Sequence, residues 1–294
     1  MERIGIVAEE TTDFPEDIIQ KHKIGTVPVS LYWPDIESLP GENTFQKMRE
    51  LEKRGIRSFG KTSQPSPKDF LDKYESQLKL FNDIICITFT SFHSGSYNSA
   101  VLAKQLLDPG KQTKVHIIDS LNASGGQALV ILKAIELIES KMGIADIVQE
   151  LEEFKDRVHF SVMFEETKWL EASGRISHAT ANVLGGMARL GIRPVLSLRK
   201  GKIVPVGLRT RAKEIPDVLF KQLERESEES RNGGKKIRIA ITHGDDLERA
   251  QRLKGMAEKE FKDAEVAFIN IINNVVGAPT GPDTLAFAWC EVQE

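Results

Sequence analysis

Short apolar runs alternate with longer stretches of helical periodicity through the first half of the chain. The runs are rich in β-branched residues and predict buried strands at residues 4–8, 26–33, 83–89 and 114–118. The stretches between them repeat apolar positions every three or four residues and predict helices at residues 45–54, 67–81, 97–107 and 126–141. Strands that alternate with helices form a mainly parallel sheet covered by helices. The first half is therefore predicted to be an α/β domain.

The pattern changes near residue 150, after a further helix predicted at residues 145–156. Strands are then predicted at 158–164, 193–199, 203–208, 236–242 and 265–272, and helices at 167–172, 179–190, 211–230 and 246–262. The segment 194–208 has the pattern of a β-hairpin with Lys200-Gly201 as its turn. We predict an α/β domain over residues 1–150 and an α+β domain over residues 151–294. The last strand could return to the first domain.

Composition and charge exclude several classes of function. The 294 residues are 40% apolar and 28% charged, as in ordinary soluble globular proteins. Forty basic residues against forty-three acidic ones give a net charge of −3, which offers no electrostatic attraction to nucleic acid. The sequence has neither the pattern of a secretory signal at its N-terminus nor an apolar run long enough to span a bilayer. We therefore expect a cytoplasmic protein without a nucleic-acid partner, whose membrane contact is at most peripheral.

The cysteines and histidines indicate no metal site. Cys86 and Cys290 lie far apart in apolar segments and cannot form a disulfide framework or a cluster of metal ligands. The six histidines show no pair at ligand spacing. His93 adjoins Ser94 in sequence, an arrangement that rarely gives a serine nucleophile a productive base. We expect neither a metal site nor a serine nucleophile at Ser94.

The segment GIRSFGKT, residues 55–62, matches the phosphate-loop pattern GxxxxGK[ST]. A working phosphate loop follows a buried strand and opens a helix, whose N-terminal amides hold the phosphates. Here a charged helical pattern precedes the segment, and Pro65 and Pro67, which lack amide hydrogens, follow it. A nucleotide-dependent enzyme is therefore an alternative that the sequence context disfavours.

A turn of small hydroxyl residues, TSFHSGSYNSA at residues 90–100, directly follows a predicted strand and precedes a predicted helix. Open α/β sheets bind ligands at this position. Ser94, Gly95 and Ser96 would let the backbone approach an anion closely, and a helix N-terminus adds amide donors and a partial positive charge. The two serines could equally be simple helix caps. Position alone leaves both interpretations open.

Six short motifs occur in the order, and at the intervals, that a known family shows. They are TSQPSP (62–67), SFHSGSYNSA (91–100), VHIIDS (115–120), SGRIS (173–177), RPVLSLRKGKIVPVGLRTR (193–211) and VGAPTGPDTLA (276–286). On these motifs the chain resembles the DegV family over nearly its whole length. The resemblance implies a two-domain fold in which a long-chain fatty acid lies buried between the domains.

The resemblance also implies site residues. Thr62 and Ser94 correspond to the two hydroxyl donors expected at the fatty-acid carboxylate, and Arg175 and Arg209 correspond to basic residues at the same end of the ligand. The predicted ligand-binding set is Thr62, Ser63, Ser94, Gly95, Ser96, Arg175, Arg209 and Pro279.

A partner follows from the same resemblance. In bacterial fatty-acid kinase systems, proteins similar to this one hand the bound carboxylate to a separate kinase subunit. The chain is therefore expected to be a non-catalytic lipid-binding protein, and a monomer. Its expected ligand is the fatty acid itself, and no cofactor is expected.

Three positions depart from the family pattern. Glu9-Glu10 replaces an Asp-Ser pair, Pro279 replaces a histidine expected at the carboxylate, and His93 stands where an aliphatic residue is usual. Extra negative charge and a missing donor both disfavour an anion. A binder of another amphiphilic or apolar ligand is therefore the main alternative to a fatty-acid carrier.

Overall fold

The computed structural model describes residues 3–176, 178–210 and 214–292. Its strands are β1 Ile4–Glu9, β2 Gly25–Val27, β3 Ser30–Tyr32, β4 Lys61–Ser63, β5 Asp83–Thr88, β6 Val115–Asp119, β7 His159–Met163, β8 Ile192–Arg199, β9 Lys202–Thr210, β10 Ile237–His243, β11 Ala264–Ile271 and β12 Leu285–Glu291. Its helices are α1 Glu16–His22, α2 Pro34–Glu37, α3 Thr44–Lys53, α4 Pro67–Gln77, α5 Ser96–Leu106, α6 Pro109–Gln112, α7 Gly125–Glu139, α8 Ile144–Phe154, α9 Lys168–Ala172, α10 His178–Arg189, α11 Ile215–Glu226, α12 Glu228–Asn232, α13 Leu247–Glu260 and α14 Asn274–Thr280. Single 3-10 turns occupy Glu10–Thr12 and Lys155–Arg157.

The predicted α/β class is confirmed by a parallel sheet and a separate mixed sheet. The predicted hairpin also forms, because Lys200 (φ 48°) and Gly201 (φ 79°) supply the left-handed pair that a two-residue turn between β8 and β9 requires. The predicted strand at 26–33 instead forms β2 and β3, which belong to different sheets. Pro28 lies between them and lacks the amide hydrogen that a continuous ladder needs.

Two elements near the C-terminus are absent from the sequence-based assignment. Strand β12 is buried at every position but its last, so its sequence LAFAWCE lacks the alternation that marks a half-buried strand. Helix α14 contains Pro279 and is followed by Gly281, residues that are typical of a turn. The periodicity of the chain therefore gives no signal for either element.

The chain divides into two compact units built from alternating segments of sequence. Unit 1 comprises the chain up to Ser30, Ser63–His159 and Arg199–Lys202, and unit 2 comprises Leu31–Thr62, Phe160–Leu198 and the chain from Ile203. This division differs from the single boundary predicted near residue 150. Strand β12 pairs with β10 inside unit 2.

Segment Leu31–Thr62 belongs to unit 2 because α3 buries its apolar face there. Phe45, Met48 and Leu51 recur every three residues along one face of the helix, and each is 0% exposed. They share a core cluster with Trp169 of α9. Helical periodicity predicts α3, but it does not identify the surface on which the helix packs.

Unit 1 is built on a parallel sheet with the strand order β2-β1-β5-β6. Helices α4 and α5 contribute Phe70, Tyr74 and Ala100 to a core that includes Val7 and Cys86 of the sheet. Helix α7 packs against β5 and α8, and most of its residues are buried. The sheet is thus covered by helices, as the alternation of strands and helices predicts.

Unit 2 is built on a mixed sheet with the strand order β11-β10-β12-β7-β8-β9. Strand β10 is parallel to β11 and antiparallel to β12, and β7 is antiparallel to β8. Helices α11 and α13 pack on this sheet and bury Leu219 and Leu253 beside Met163, Val195 and Phe287. This second core is independent of the core of unit 1.

Arg49 of α3 holds two loops of unit 2 at their junction with the sheet. Its Nη1 bonds Asp245 at 2.6 Å, and its Nη2 bonds Asp283 at 2.7 Å. Asp245 follows β10 and Asp283 precedes β12, and both have left-handed backbones with φ of 61° and 60°. Asparagine and aspartate tolerate that conformation better than other non-glycine residues. The ion pairs therefore fix both loops against α3.

Replacing Arg49 with Met should lower the free energy of unfolding by about 2 kcal/mol, because two charge-assisted hydrogen bonds between half-buried partners are lost together. Urea denaturation measures this change. Arg54→Met is the matched control, since Arg54 follows the same helix and pairs with Glu50 one turn away. The control should lose less than about 0.5 kcal/mol. Equal losses in the two variants would contradict the interpretation.

Candidate functional site

The carboxyl ends of β1 and β5 form the topological switch point of the unit 1 sheet. From β1 the chain passes to β2 on one side, and from β5 it passes to β6 on the other. Open α/β sheets bind ligands in the crevice at such a point. The hydroxyl turn leads from β5 to α5, as predicted, and therefore borders this crevice.

A buried carboxylate occupies the switch point. Glu9, the last residue of β1, is 0% exposed, and its Oε2 accepts hydrogen bonds from the Phe89 amide and from Gln127 Nε2, each at 3.0 Å. Burial raises the pKa of Glu9 above its ordinary value of 4.5, and the donors oppose that rise. The negative charge that the sequence places here is thus inside the protein and partnered by its own residues.

Ser94 and Ser96 bond to each other at the start of α5. Their Oγ atoms are 2.8 Å apart, and Ser94 Oγ also accepts the Ser96 amide at 3.2 Å. Ser96 is 2% exposed, whereas Ser94 is half-buried. Ser94 therefore accepts a hydrogen bond from a backbone amide at the start of α5. A capping role of this kind is one of the two interpretations that the sequence leaves open for this turn. The partial exposure of Ser94 leaves it accessible to a ligand as well.

Gln64 of TSQPSP lies across the glycine of the hydroxyl turn. Its Oε1 accepts the Gly95 amide at 3.1 Å, and its Nε2 donates to Ser99 Oγ at 3.5 Å. A Cβ atom at Gly95 would lie 2.2 Å from Gln64 Oε1, so only glycine allows this approach. Two motifs that are about thirty residues apart in sequence are thus joined by the side chain of Gln64.

Unit 2 brings together two other predicted residues, Thr62 and Arg175. Arg175 Nη2 donates to Thr62 Oγ1 at 2.5 Å. Thr62 is the central residue of the short strand β4. Arg175 follows Gly174, whose left-handed backbone (φ 71°) turns the chain away after α9. The Arg175 amide also donates to Ser173 Oγ at 3.3 Å, which fixes the start of this turn.

Arg175 is half-buried, and in the part of the chain that the structure describes no carboxylate pairs with it. Glu171 lies one helical turn earlier, but its Oε1 accepts the Thr167 hydroxyl at 3.1 Å. Burial lowers the pKa of Arg175 below its ordinary value of 12.5, and the guanidinium still stays charged at neutral pH. A charged, partly desolvated guanidinium without a counter-ion has the chemistry to accept an anion.

Pro279 is buried in α14, and α14 packs against α9 and α3 within unit 2. A Cβ atom at Gly281, the residue after α14, would lie 2.2 Å from the Trp169 ring. This tight contact holds α14 against the helix that precedes Arg175. Pro279 therefore lies on an element that is packed next to the Thr62–Arg175 pair.

A cavity of about 580 Å³ lies in unit 2, within the size range of small-molecule sites. Ile56 and Phe59 line it from the segment that leads to Thr62, and Trp169 and Ala172 line it from α9. Charged groups, among them Lys168, lie along the same lining. The cavity thus adjoins both segments that carry the Thr62–Arg175 pair.

The remaining predicted positions contribute less. Ser63 is exposed, and the Arg209 side chain lies outside the described residues. The segment that matches a phosphate loop does not open a helix, as its sequence context predicts. Residues 61–63 form a strand, and the next helix begins only at Pro67, capped by Ser66. Among residues 3–176, 178–210 and 214–292, no three His, Cys, Asp or Glu side chains are placed to hold a metal ion.

Three site residues are missing from the sequence-based set: Glu9, Gln64 and Gln127. Gln64 lies inside the motif TSQPSP, so the sequence marks its position as one of interest. Its hydrogen bond with Gly95 depends on the fold and is not visible in the sequence. Gln127 of α7 donates to Glu9 and to the Ile87 carbonyl, both at 3.0 Å. Nothing in the pattern of a buried amphipathic helix marks such a residue.

The family model described as "Uncharacterised protein, DegV family" matches residues 3–292. The chain belongs to the DegV family. It is 28% identical over 291 residues to the fatty acid-binding protein of Thermotoga maritima, a match that covers 97% of this chain and 96% of that relative. It is 35% identical over 205 residues to a DegV domain-containing protein of Clostridium acetobutylicum, covering 69% of this chain and 71% of that protein.

Solved DegV structures share the fold. A DegV family protein from Thermus thermophilus, described as binding fatty acid, has a TM-score of 0.83 at 26% identity and covers 99% of this chain and 100% of its own. A stearic acid-binding protein from Eubacterium ventriosum has a TM-score of 0.82 at 21% identity, covering 99% and 98%, and supports the likeness of fold alone. The DegV fold predicted from the motifs is therefore confirmed. In the described part of this DegV chain, no helix has the length and apolar character needed to cross a bilayer.

Gly95→Ala should lower the free energy of unfolding by about 1 kcal/mol, because the new methyl group displaces the Gln64 amide and removes one net hydrogen bond. In a Gln64→Ala background the same change should cost much less, since the obstructing side chain is gone. Gly110→Ala is the control, because a Cβ atom there has nothing within 4 Å. Chemical denaturation of the variants measures these differences, and equal losses at Gly95 in both backgrounds would exclude Gln64 as the cause.

Proposed function

We propose that this chain binds a long-chain fatty acid and presents its carboxylate at a head-group site that includes Thr62 and Arg175. The observation that carries the proposal is the partly desolvated Arg175 guanidinium, which donates to Thr62 and has no carboxylate partner among the described residues. The description of the Thermotoga and Thermus relatives as fatty acid-binding proteins supports the same ligand. That Thr62 and Ser94 bind one anion stays a prediction of this proposal.

The acyl chain and the carboxylate of the ligand contribute differently to the free energy of binding. Burying about fourteen methylenes at ~0.8 kcal/mol each gives about 11 kcal/mol of gross hydrophobic stabilisation. A charge-assisted hydrogen bond at the head contributes about 1.5–3 kcal/mol. The acyl chain therefore supplies most of the affinity, and Arg175 with Thr62 determines which end of the ligand is recognised.

We also propose that the chain is a carrier that hands the bound carboxylate to a separate kinase subunit in the cytoplasm. A carrier needs no catalytic residue or cofactor of its own, and a partly exposed Ser94 leaves the head-group position open to a partner. The monomeric state belongs to the same proposal.

A second candidate is an amphiphile without a free carboxylate. Pro279 favours it, because proline supplies neither a side-chain donor nor a backbone amide hydrogen where the family has a histidine. Fatty alcohols and esters represent this ligand class in a binding experiment.

Arg175→Gln should reduce the affinity for a long-chain fatty acid about tenfold to a hundredfold, because the cation that faces the carboxylate is lost. Titration with a fluorescent fatty acid measures this, and native mass spectrometry of the purified protein shows whether an acyl chain co-purifies. Arg252→Gln is the matched control, since Arg252 is half-exposed and already paired with Asp217 at 2.7 Å. Wild-type protein that neither retains nor binds a fatty acid would refute the proposed function.

Pro279→His should increase the preference for a fatty acid over its alcohol or methyl ester. The histidine restores one donor worth about 1.5–3 kcal/mol to an anion, whereas burial of the methylenes is unchanged. The wild type is expected to show a small preference for the acid, and the variant a preference larger by tenfold to a hundredfold. An equally strong acid preference in both proteins would show that another donor already replaces the histidine, with His93→Leu as the next variant to compare.

A further inference from the structure

We propose that the cavity of unit 2 is a second ligand site, and that it binds a free amino acid with a large apolar side chain. The lining that the structure describes includes neither Thr62 nor Arg175, so this site is distinct from the proposed fatty-acid head-group site. Its volume of about 580 Å³ is typical of small-molecule sites. Every contact that supports it lies within unit 2, and none requires that the chain binds a fatty acid.

The loop that lines one side of the cavity is held at two points. Helix α3 ends in a Schellman motif, in which Gly55 has the left-handed backbone (φ 67°) and the Ile56 amide donates to a carbonyl of the last helical turn at 3.0 Å. Two residues further on, Ser58 Oγ accepts the Trp33 indole hydrogen, with the heavy atoms 2.9 Å apart. Arg57 lies between these two points, so a fixed backbone carries its guanidinium at the cavity.

Four charged side chains line the cavity, and two of them neutralise each other. The four are Glu52, Arg57, Lys168 and Glu171. Lys168 forms an ion pair with Glu52, and its Nζ lies 5.2 Å from the centre of the Trp169 ring. This ion pair joins the last turn of α3 to the first turn of α9. One positive charge, on Arg57, and one negative charge, on Glu171, remain.

Arg57 and Glu171 have no partner of opposite charge in the part of the chain that the structure describes. Glu171 Oε1 accepts a neutral hydroxyl, that of Thr167, at 3.1 Å. The Arg57 guanidinium has five hydrogen-bond donors and stays charged at neutral pH. A zwitterionic amino acid supplies both missing partners, because its carboxylate matches Arg57 and its ammonium group matches Glu171.

An aromatic pair forms the apolar part of the lining. The Phe59 ring meets the Trp169 ring edge-on, with centroids 5.4 Å apart, and Trp169 is 4% exposed. Ile56 also lines the cavity and is 45% exposed, so it has apolar surface that a ligand can cover. Aromatic side chains pack well on such a surface. An acyl chain fits less well, because it would cover Arg57 and Glu171 without pairing their charges.

Calorimetric titration of the wild type with L-phenylalanine should show saturable binding with a Kd below about 1 mM. Two analogues measure the contribution of each ligand charge. Phenylethylamine lacks the carboxylate and 3-phenylpropanoate lacks the ammonium group, so each should bind about tenfold more weakly than L-phenylalanine. Wild-type protein that does not bind L-phenylalanine would overturn the proposal.

Two substitutions should each abolish the preference for one ligand charge. In Arg57→Gln, L-phenylalanine should no longer bind more tightly than phenylethylamine, whereas its preference over 3-phenylpropanoate should remain. In Glu171→Gln the pattern should be the reverse. Damage to the fold would weaken all three ligands alike and would not produce this exchange. If the two variants lose the same preference, or neither variant loses one, the assigned partners are wrong.

The matched control is Arg54→Gln, because Arg54 pairs with Glu50 and lies outside the described lining. Both of its ligand preferences should equal those of the wild type. A saturating long-chain fatty acid should leave the affinity for L-phenylalanine unchanged, and competition between the two would refute a second site. If the wild type binds no fatty acid, the proposed function fails, and the amino-acid titrations still decide this proposal.

Discussion

A guanidinium that is partly removed from water needs an anion, and Arg175 has none among the described side chains. The residues around Arg175 hold its guanidinium in this partly buried position. The aromatic cluster around Trp169 buries α9, the left-handed Gly174 then turns the chain, and Thr62 receives one of the guanidinium hydrogens. Replacing a buried ion pair by an unpaired charge costs several kcal/mol in general, so a site of this kind is retained for a ligand that completes it. The proposed head-group site of unit 2 depends on this unsatisfied charge.

In unit 1 the buried charged group is a carboxylate, Glu9, and it does have partners within the protein. At the switch point of its sheet, where open α/β proteins hold their ligands, the crevice is occupied by the protein's own Glu9. The backbone amide of Phe89 and the side-chain amide of Gln127 both donate to that carboxylate. Donors that could serve an external anion are thus already engaged. Unit 1 thus holds a carboxylate together with its donors, whereas unit 2 holds a guanidinium without a carboxylate partner among the described residues.

Local features of the fold were accessible from the sequence because they depend on local chemistry. Lys200-Gly201 predicts a hairpin, since a short turn requires two residues that accept a left-handed backbone, and both have one. Pro65 and Pro67 likewise predict that the helix after the apparent phosphate loop starts late, which α4 confirms. The motifs were sufficient to identify the DegV fold, and they named Thr62, Ser94 and Arg175.

Features that depend on packing between distant parts of the chain could not be predicted from the sequence. Periodicity predicts α3, but its attachment to unit 2 arises from contacts of Phe45 and Met48 with residues far along the chain. Strand β12 is apolar on both faces, so it carries no alternation. A glutamate in sequence looks like surface charge, and the burial of Glu9 becomes apparent only when the fold brings the Phe89 amide and Gln127 of α7 to it.

A crystal structure of the protein with a bound long-chain fatty acid tests the central claim most directly. The account predicts that the ligand carboxylate lies within about 3 Å of the Arg175 guanidinium, the typical distance of a charge-assisted hydrogen bond, with Thr62 as its hydroxyl neighbour. A fatty acid whose carboxylate lies away from Arg175, with the guanidinium still without an anion, would contradict it.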